Sequence, residues 1–256
     1  MRIDLNSDMG ESFGAWTLGA DEALMQVISS ANVACGFHAG DAGVMRRTVE
    51  LASAHGVAVG AHPGFQDLAG FGRREMRCSP REVEDLVVYQ VGALAAVAAA
   101  QGLRLQHVKA HGALYNMACA DPALAAAIAR ATASLDASLV LFGLPGSHLL
   151  AEGRRAGLPV ASEVFADRAY LADGTLVPRS RAGSVIHDPV EVVQRAVRMV
   201  RERSVMSVDG TPVPLEVDTI CVHGDTPGAA ALAGAIRRAL EAGGVRVESL
   251  RPATKL

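Results

Sequence analysis

The stretch SANVACGFHAGD, from Ser30 to Asp41, decides the fold because it runs from a short apolar segment into a glycine-rich turn with one histidine and one aspartate. The same construction recurs along the chain, with a buried-strand pattern first, then polar residues, then a helical pattern. The polar residues after the other apolar runs are Asn6-Ser7-Asp8, His62-Pro63-Gly64, Lys109-Ala110-His111-Gly112 and His223-Gly224-Asp225. This alternation predicts parallel strands joined by helical crossovers.

The number of strand–helix units favours a closed barrel over an open sheet. Seven or eight units fit into 256 residues without a linker-like change of composition, and a barrel brings the ends of all its strands to one mouth. An open sheet is expected to carry a dinucleotide or phosphate fingerprint, and the chain has neither GxGxxG nor GxxxxGK followed by Ser or Thr. We therefore predict an α/β fold, an irregular (β/α)7–8 TIM-like barrel, as one domain over residues 1–256 with a small hairpin insertion near 205–216.

The composition argues against several classes of function. Half of the residues are hydrophobic, and 24 basic residues against 27 acidic ones give a net charge of −3. Without a cluster of lysine and arginine, the chain is expected to bind no nucleic acid. We expect no membrane partner, because the most apolar long run, residues 86–100, is too short to span a bilayer and the N-terminus lacks the apolar stretch of a signal peptide. The four cysteines show no CxxC or disulfide spacing, which is typical of reduced thiols in a cytoplasmic protein.

Local patterns set the expected bounds of individual elements. The first apolar run predicts a strand at Arg2–Asn6. Ser79-Pro80 with Glu82 predicts a capping box at the start of a helix that runs to Ala100, and Asp121-Pro122 predicts the start of another helix.

The polar residues that follow the predicted strands are expected to converge at the mouth of the barrel, where active sites of such folds form. These residues are Asn6, Asp8, Glu11, His38, Asp41, His62, Lys109, His111, Glu163, Asp167, Arg168, His223 and Asp225. Asp8 and Glu11 also suit an ordinary polar loop at a helix start. Asp41 also suits the N-cap of the next helix.

Asp8, His38 and His62 form a candidate metal site. A carboxylate with two imidazoles suits zinc, manganese or a similar divalent ion. Gly36 and Gly40 flank His38 and allow the backbone to approach a ligand closely. The chain has no HExxH motif and the three residues come from separate elements, so the sequence leaves open a site without metal.

Lys109 and His111 follow the fourth apolar run, which predicts a strand at Leu105–Ala110. The two residues are expected to point the same way if this strand continues to His111. A lysine inside a barrel needs an acidic partner or an anionic ligand. The alternatives are a structural ion pair with Glu163 or Asp8, and capture of a carboxylate or phosphate with His111 as general acid or base.

Six ordered motifs run through the chain. They are DLNSDMGES at Asp4–Ser12, NVACGFHAGD at Asn32–Asp41, VGAHPGFQD at Val59–Asp67, VKAHGALYN at Val108–Asn116, EVFADRAY at Glu163–Tyr170 and VHGD at Val222–Asp225. Together they resemble the LamB/YcsF family over nearly the whole chain. The resemblance implies a barrel similar to the glycoside hydrolase/deacetylase superfamily, and an ATP-dependent opening of 5-oxo-L-proline to L-glutamate that involves two further subunits, B and C.

The implied reaction suggests roles for the residues at the mouth. Opening a lactam requires a base for water, an acid for the ring nitrogen and a cation for the substrate carboxylate. The candidates are Asp8 or His38 as base, His111 or His62 as acid, and Lys109 or Arg168 as cation. Further substrate contacts are expected from Asn6, Glu11, Glu163, His223 and Asp225. The Asp-His-His set is similar to the metal sites of related deacetylases, which is an analogy of fold.

Two questions stay open at the level of sequence. The chain has no P-loop, so the co-substrate ATP is handled by a partner subunit or binds here at a site that no motif marks. The chain also suits a stand-alone metal-dependent deacetylase or amidohydrolase that acts on a sugar or acylamine, whereas the density of motifs disfavours a non-catalytic binding protein. Assembly into a homo-oligomer is not decided by the sequence.

Overall fold

Seven parallel strands form a closed barrel in the computed structural model, which describes residues 1–179, 181–222, 224 and 228–251. The strands, in chain order, are β1 (Arg2–Met9), β2 (Ser30–Ala34), β3 (Ala58–His62), β4 (His107–Val108), β5 (Val140–Gly143), β6 (Val160–Phe165), β7 (Ser204–Met206), β8 (Pro212–Pro214), β9 (Thr219–Cys221) and β10 (Arg246–Val247). β1 to β6 and β9 make the barrel, and β1 closes it by pairing with both β2 and β9. The predicted irregular (β/α) barrel is confirmed.

Helices connect the barrel strands. In chain order they are α1 (Asp21–Met25), α2 (Ala42–His55), α3 (Pro80–Ala99), α4 (Gly112–Ala120), α5 (Pro122–Leu135), α6 (His148–Arg155), α7 (Pro189–Glu202) and α8 (Ala229–Ala242). Asp41 caps α2 through its side chain, which accepts hydrogen bonds from the backbone N–H groups of Gly43 and Val44. The capping box of Ser79 and Glu82 starts α3 as predicted. Short polar side chains thus satisfy the first N–H groups of these helices.

The remaining strands lie outside the ring. β7 and β8 pair with each other in antiparallel fashion over residues 204–214, which overlap the hairpin predicted near 205–216. β10 pairs with the first two residues of β1, before β1 turns to its partner β9. β1 therefore has more strand partners than any other described strand, and it is also the longest.

Two expected strand bounds are wrong. The first strand does not end at Asn6 but continues to Met9, because Ser7, Asp8 and Met9 pair with Ala31, Asn32 and Val33 of β2. Asp8 therefore lies on a strand and not in a loop. The fourth strand ends at Val108 and not at Ala110, and the helix α4, which the sequence did not predict, starts four residues later.

Polar side chains fill much of the barrel interior and are joined by short hydrogen bonds. Thr219 Oγ1 donates to Asp4 Oδ2 at 2.6 Å, and Asn6 Nδ2 donates to Thr219 Oγ1 at 2.7 Å. Asn32 Nδ2 donates to Asn6 Oδ1 at 2.7 Å, and Asn32 Oδ1 lies 2.7 Å from Nε2 of His107. All five residues are fully buried. Because buried polar groups are costly when unpaired, this chain of bonds specifies how the strands come together.

The apolar core surrounds the barrel on its outer side. Strand residues that alternate with the interior ones, such as Leu5, Val33 and Ile220, pack with buried helix residues in one continuous cluster. This is the alternation expected of a strand with a different environment on each face. Within the part of the chain that the structure describes, no helix combines the length and hydropathy needed to cross a bilayer.

Gly60 on β3 makes room for the His107 ring, since an added Cβ would overlap the imidazole. We expect Gly60→Ala to break the bond between His107 and Asn32 and to lower the free energy of unfolding by about 1–3 kcal/mol. Urea denaturation measures this change. The matched control is Gly92→Ala on α3, where an added Cβ meets no described atom within 4 Å; it should raise stability by about 0.5–1 kcal/mol. Equal effects of the two substitutions would contradict this account.

Candidate functional site

A cavity of about 700 Å³ opens at the carboxyl ends of the barrel strands. The predicted site residues that line it are Asp8, His62, Lys109, His111 and Arg168. They come from the ends of β1 and β3, the segment between β4 and α4, and the segment after β6. A volume of this size is typical of small-molecule sites. The predicted convergence of these five side chains at one mouth is therefore observed.

Lys109 is the buried cation of the site. Its Nζ lies 2.9 Å from Asp8 Oδ1 and 2.8 Å from Glu163 Oε1, and its side chain is only 3% exposed. Burial alone lowers the pKa of the ammonium, but the two neighbouring carboxylates outweigh burial and raise the pKa well above its usual value. Of the two alternatives that the sequence left open for Lys109, the structure shows the ion pair, and it is formed with both Glu163 and Asp8.

Asp8 presents its carboxylate at the floor of the cavity. Its Oδ1 accepts hydrogen bonds from Lys109 Nζ at 2.9 Å and from Asn32 Nδ2 at 2.8 Å. The same oxygen lies 3.4 Å from His62 Nε2, and the side chain is 11% exposed. A cation and an amide thus hold a partly accessible carboxylate in one orientation beside an imidazole, which is a suitable arrangement for a general base.

A cluster of one carboxylate and three imidazoles adjoins this floor. Glu11, His38, His62 and His111 each offer one ligand atom within 4.8 Å of the others, and all four are buried. His111 Nδ1 lies 2.9 Å from His62 Nε2, and Glu11 Oε1 lies 3.7 Å from His111 Nδ1 and 3.8 Å from His38 Nε2. Carboxylate and imidazole donors in this number suit a divalent transition metal. Asp8, which the sequence grouped with His38 and His62, lies outside this cluster and pairs with Lys109.

Burial controls the charge of the cluster. It lowers the pKa of both His38 and His111 well below the usual value for histidine, and the nearby imidazoles act in the same direction. These two rings are therefore neutral at pH 7. Neutral imidazole is the form that binds metal ions and accepts protons.

Glycines let the loop after β3 pack directly on the histidines. An added Cβ at Gly64 would lie 2.7 Å from His38 Nδ1, and one at Gly72 would lie 2.8 Å from His111 Cδ2. Gly112 has φ +56 and an added Cβ there would lie 2.6 Å from the Gly72 carbonyl oxygen. Only glycine permits such close approach in this backbone conformation. The glycine-rich composition of this loop thus follows from the size of the imidazoles beneath it.

The other predicted site residues lie behind the cavity wall or elsewhere. Asn6 and Glu163 are fully buried beside Lys109. Asp41, besides its role at the N-cap, accepts a hydrogen bond from the Gly14 N–H. His223 and Asp225 fall outside the described residues. The direct substrate contacts predicted for Asn6, Glu11 and Glu163 stay predictions.

Arg168 forms part of the opposite wall of the cavity. Its guanidinium donates to the carbonyl oxygens of Ser184 and Val177, and the residue is 5% exposed. Burial, together with the positive charge of Arg179, lowers its pKa to about 10, which still leaves it cationic at neutral pH. Arg73 and Arg179 line the same cavity. The cavity therefore has cations on its wall and carboxylates at its floor.

The sequence analysis did not identify two residues of the site, Asn32 and Tyr115. Asn32 hydrogen-bonds Asp8, and its position in an otherwise apolar strand was the available signal. Tyr115 lines the cavity from α4. The apolar residues at helical spacing after Gly112 could have revealed that helix.

The sequence model of the LamB/YcsF family matches residues 3–255. The chain belongs to the LamB/YcsF family. A Bordetella parapertussis relative, named as the A subunit of 5-oxoprolinase, is 58% identical over 247 residues, which span 96% of this chain and 98% of the relative. A Heliobacterium modesticaldum relative of the same name is 56% identical over 249 residues, 97% of this chain and 98% of the relative. The resemblance carried by the six motifs is thereby confirmed.

Solved structures agree with this family membership. The crystal structure of a lactam utilization protein from Thermus thermophilus matches with a TM-score of 0.94 at 53% identity, covering 98% of this chain and 100% of that one. A family 4 carbohydrate esterase from Streptomyces lividans matches with a TM-score of 0.50 at 11% identity, covering 99% and 97% of the two chains. The second match shows a shared fold alone.

We expect Lys109→Met in this LamB/YcsF chain to lower the free energy of unfolding by about 3–5 kcal/mol, because two buried carboxylates lose their cation. In the native protein the raised pKa of Lys109 keeps its contribution constant between about pH 5 and pH 8. In the variant the uncompensated carboxylates become less costly as they are protonated. The loss of unfolding free energy relative to the native protein, which we call the deficit, should therefore be smaller near pH 5 than near pH 8.

Urea denaturation at both pH values measures this deficit. The control is Arg130→Met, which removes the 53% exposed partner of Glu84 and should cost at most about 1 kcal/mol. A deficit for Lys109→Met as small as that of the control would show that the buried ion pairs contribute little.

Proposed function

We propose that this chain is the A subunit of an ATP-dependent 5-oxoprolinase, which cleaves 5-oxo-L-proline to L-glutamate in the cytoplasm together with subunits B and C. The observation that carries the proposal is the Asp8 carboxylate, paired with Lys109 beside His62 on the floor of the cavity. Relatives that share more than half of the residues over almost the full chain carry the name of the A subunit of 5-oxoprolinase, which supplies the substrate.

The proposed reaction adds water across the lactam C–N bond. Asp8 accepts a proton from the water molecule whose oxygen attacks the ring carbonyl carbon. The C–N bond then breaks, and the ring nitrogen takes up the proton that Asp8 removed from water, so that Asp8, which lines the cavity, is the base in the first step and the acid in the second. A neutral amine leaves more readily than an amide anion, so the reaction needs both a base and an acid.

Lys109 and Arg168 have different roles in this proposal. Lys109 already has two carboxylate neighbours, so its charge is used to hold Asp8 and Glu163. Arg168 on the cavity wall is the better candidate for the substrate carboxylate, because a planar guanidinium suits a carboxylate. This choice places the substrate carboxylate at the wall and its lactam carbonyl at the floor.

ATP is a co-substrate in this proposal and is handled by the partner subunits. The chain has no P-loop, and a neutral lactam is a poor electrophile until its carbonyl oxygen is activated, for example by phosphorylation. In that case C–N cleavage leaves an acyl phosphate, which a second water molecule hydrolyses to glutamate and inorganic phosphate. The name of the relatives specifies one lettered subunit, which implies an assembly with others. Small-molecule hydrolysis in this chain and ATP chemistry in its partners would then be coupled only in the complex.

One observation favours a second candidate. The cluster of Glu11, His38, His62 and His111 also suits a stand-alone, metal-dependent deacetylase or amidohydrolase. Such an enzyme would hydrolyse an acylamine or acylated sugar without ATP. The two candidates differ in their need for partners and nucleotide, so one assay separates them.

The assay follows glutamate and ADP with 5-oxo-L-proline and ATP, using this chain alone and with subunits B and C. We expect little turnover from the chain alone, and equal amounts of glutamate and ADP from the three subunits together. Full activity of the isolated chain would overturn the partner requirement. Hydrolysis of acylated sugars by the isolated chain, independent of ATP and abolished by a chelator, would favour the second candidate.

We expect Asp8→Asn to lower kcat of the reconstituted complex by about 10²–10⁴-fold, because the amide keeps the shape of the carboxylate but cannot accept the proton from water. The matched control is Asp121→Asn at the N-cap of α5, where both backbone N–H groups donate to Oδ1 alone, since asparagine caps a helix as well as aspartate does. The control should retain activity. Normal turnover by Asp8→Asn would exclude Asp8 as the base.

A further inference from the structure

Two main-chain carbonyls fix the proton positions on a pair of buried histidines. His62 Nδ1 lies 2.8 Å from the Lys109 carbonyl oxygen, and His111 Nε2 lies 2.7 Å from the Phe71 carbonyl oxygen. A carbonyl oxygen only accepts hydrogen bonds, so each of these ring nitrogens carries the proton. In the neutral rings, the opposite nitrogens are therefore unprotonated.

The two unprotonated nitrogens face each other. His62 Nε2 and His111 Nδ1 are 2.9 Å apart, with the ring planes at 87°. Two lone pairs at this distance cannot form a hydrogen bond and repel each other unless a cation lies between them.

Glu11 supplies a third donor with negative charge. Its Oε1 lies 3.7 Å from His111 Nδ1, in a place where both residues are buried. Two ligands of a tetrahedral ion with bonds of about 2.0–2.1 Å are roughly 3.3–3.4 Å apart. The observed separations of 2.9 and 3.7 Å lie on either side of this value. The third pair, Glu11 and His62, has its ligand atoms within 4.8 Å of each other. Side-chain shifts of about an ångström would thus bring the three donors around one ion.

His38 is placed differently, although it belongs to the same cluster. Its ring stacks on that of His111 with centroids 3.7 Å apart and planes at 1°. The in-plane lone pairs of two parallel rings run side by side and do not converge on one point. Among the described residues neither nitrogen of His38 has a hydrogen-bond partner. Stacking and packing therefore set its position, and His38 in turn supports the orientation of His111.

Asp8 Oδ1 lies 3.4 Å from His62 Nε2, but its hydrogen bonds distinguish it from the three donors. Its Oδ1 is already hydrogen-bonded to the Lys109 ammonium and to the Asn32 amide. A carboxylate oxygen neutralised by an ammonium is a weak ligand for a metal cation. The carboxylate that the sequence suggested as a ligand and the one that the geometry favours are therefore different.

We propose that His62 Nε2, His111 Nδ1 and the Glu11 carboxylate bind one divalent transition-metal ion of the zinc class, with His38 as a stacked positioning residue and Asp8 outside the ligand set. Two imidazoles and one carboxylate form a donor set that is common for zinc and leaves a position open. An ion bound there would supply Lewis-acid polarisation of a substrate oxygen. This inference does not depend on the identity of the substrate, because it concerns metal binding alone.

The experiment measures metal binding by the full chain without any assay of activity. The protein is stripped with a chelator and titrated with Zn²⁺ and, separately, with Co²⁺, whose visible absorption reports its ligand geometry. We expect about one ion per chain, a cobalt spectrum typical of nitrogen and oxygen ligands, and a higher thermal unfolding midpoint with Zn²⁺ than with chelator. Absence of binding at about 100 μM Zn²⁺ would overturn the proposal.

Matched pairs of variants test the ligand set. Glu11→Gln should weaken binding by more than about 100-fold, whereas Asp8→Asn, the same change on the neighbouring carboxylate, should leave it within about tenfold. His111→Phe should abolish binding, whereas His38→Phe keeps an aromatic ring for stacking and should retain the ion. A loss of binding in Asp8→Asn or His38→Phe as large as in their counterparts would contradict the proposed ligands.

Unfolding midpoints measured with chelator show whether each variant still folds. A variant whose midpoint with chelator matches that of the stripped native protein has lost only the metal. If His111→Phe does not fold, His62→Ala takes its place in the comparison, with the same expected loss of the ion.

Discussion

The ammonium of Lys109 between Asp8 and Glu163 is the interaction on which the rest of the site depends. It compensates two carboxylates at the boundary between the barrel interior and the cavity. Below it, Asn6 and Asn32 continue the polar contacts into the barrel. Above it, one carboxylate remains accessible to small molecules. One charge therefore stabilises the centre of the fold and also orients the carboxylate that faces the cavity.

The second constraint is the close packing of the loop after β3 on the histidine cluster. Three imidazoles and a glutamate fill the space under the loop after β3, and Gly64 and Gly72 are the points where that loop touches them. The close cover removes water from the cluster, which keeps His38 and His111 neutral. The buried, uncharged imidazoles of His38 and His111 differ strongly from the ion pair of Lys109 and Asp8 beside them. The site thus combines two electrostatic environments within one cavity floor.

Local sequence was sufficient for the barrel, for the capping residues of its helices and for the set of polar residues at one mouth. It was insufficient for the end of β1, because Ser7 and Asp8 continue the strand only through their partners on β2. It was also insufficient to choose between two acids three positions apart. Asp8 and Glu11 have similar local contexts, and only the three-dimensional placement of Lys109 and His111 separates their roles.

The double pairing of β1 has a consequence for how the chain reaches its native state. The ring closes when Asp4, Leu5 and Asn6 meet Thr219, Ile220 and Cys221, residues separated by most of the chain. Contacts over such long loops form slowly. During synthesis on the ribosome, one edge of the first strand stays unpaired until the ninth has emerged, and such edges promote misassembly between nascent chains. We therefore expect barrel closure, which brings Asp4 to Thr219, to be a late event in folding.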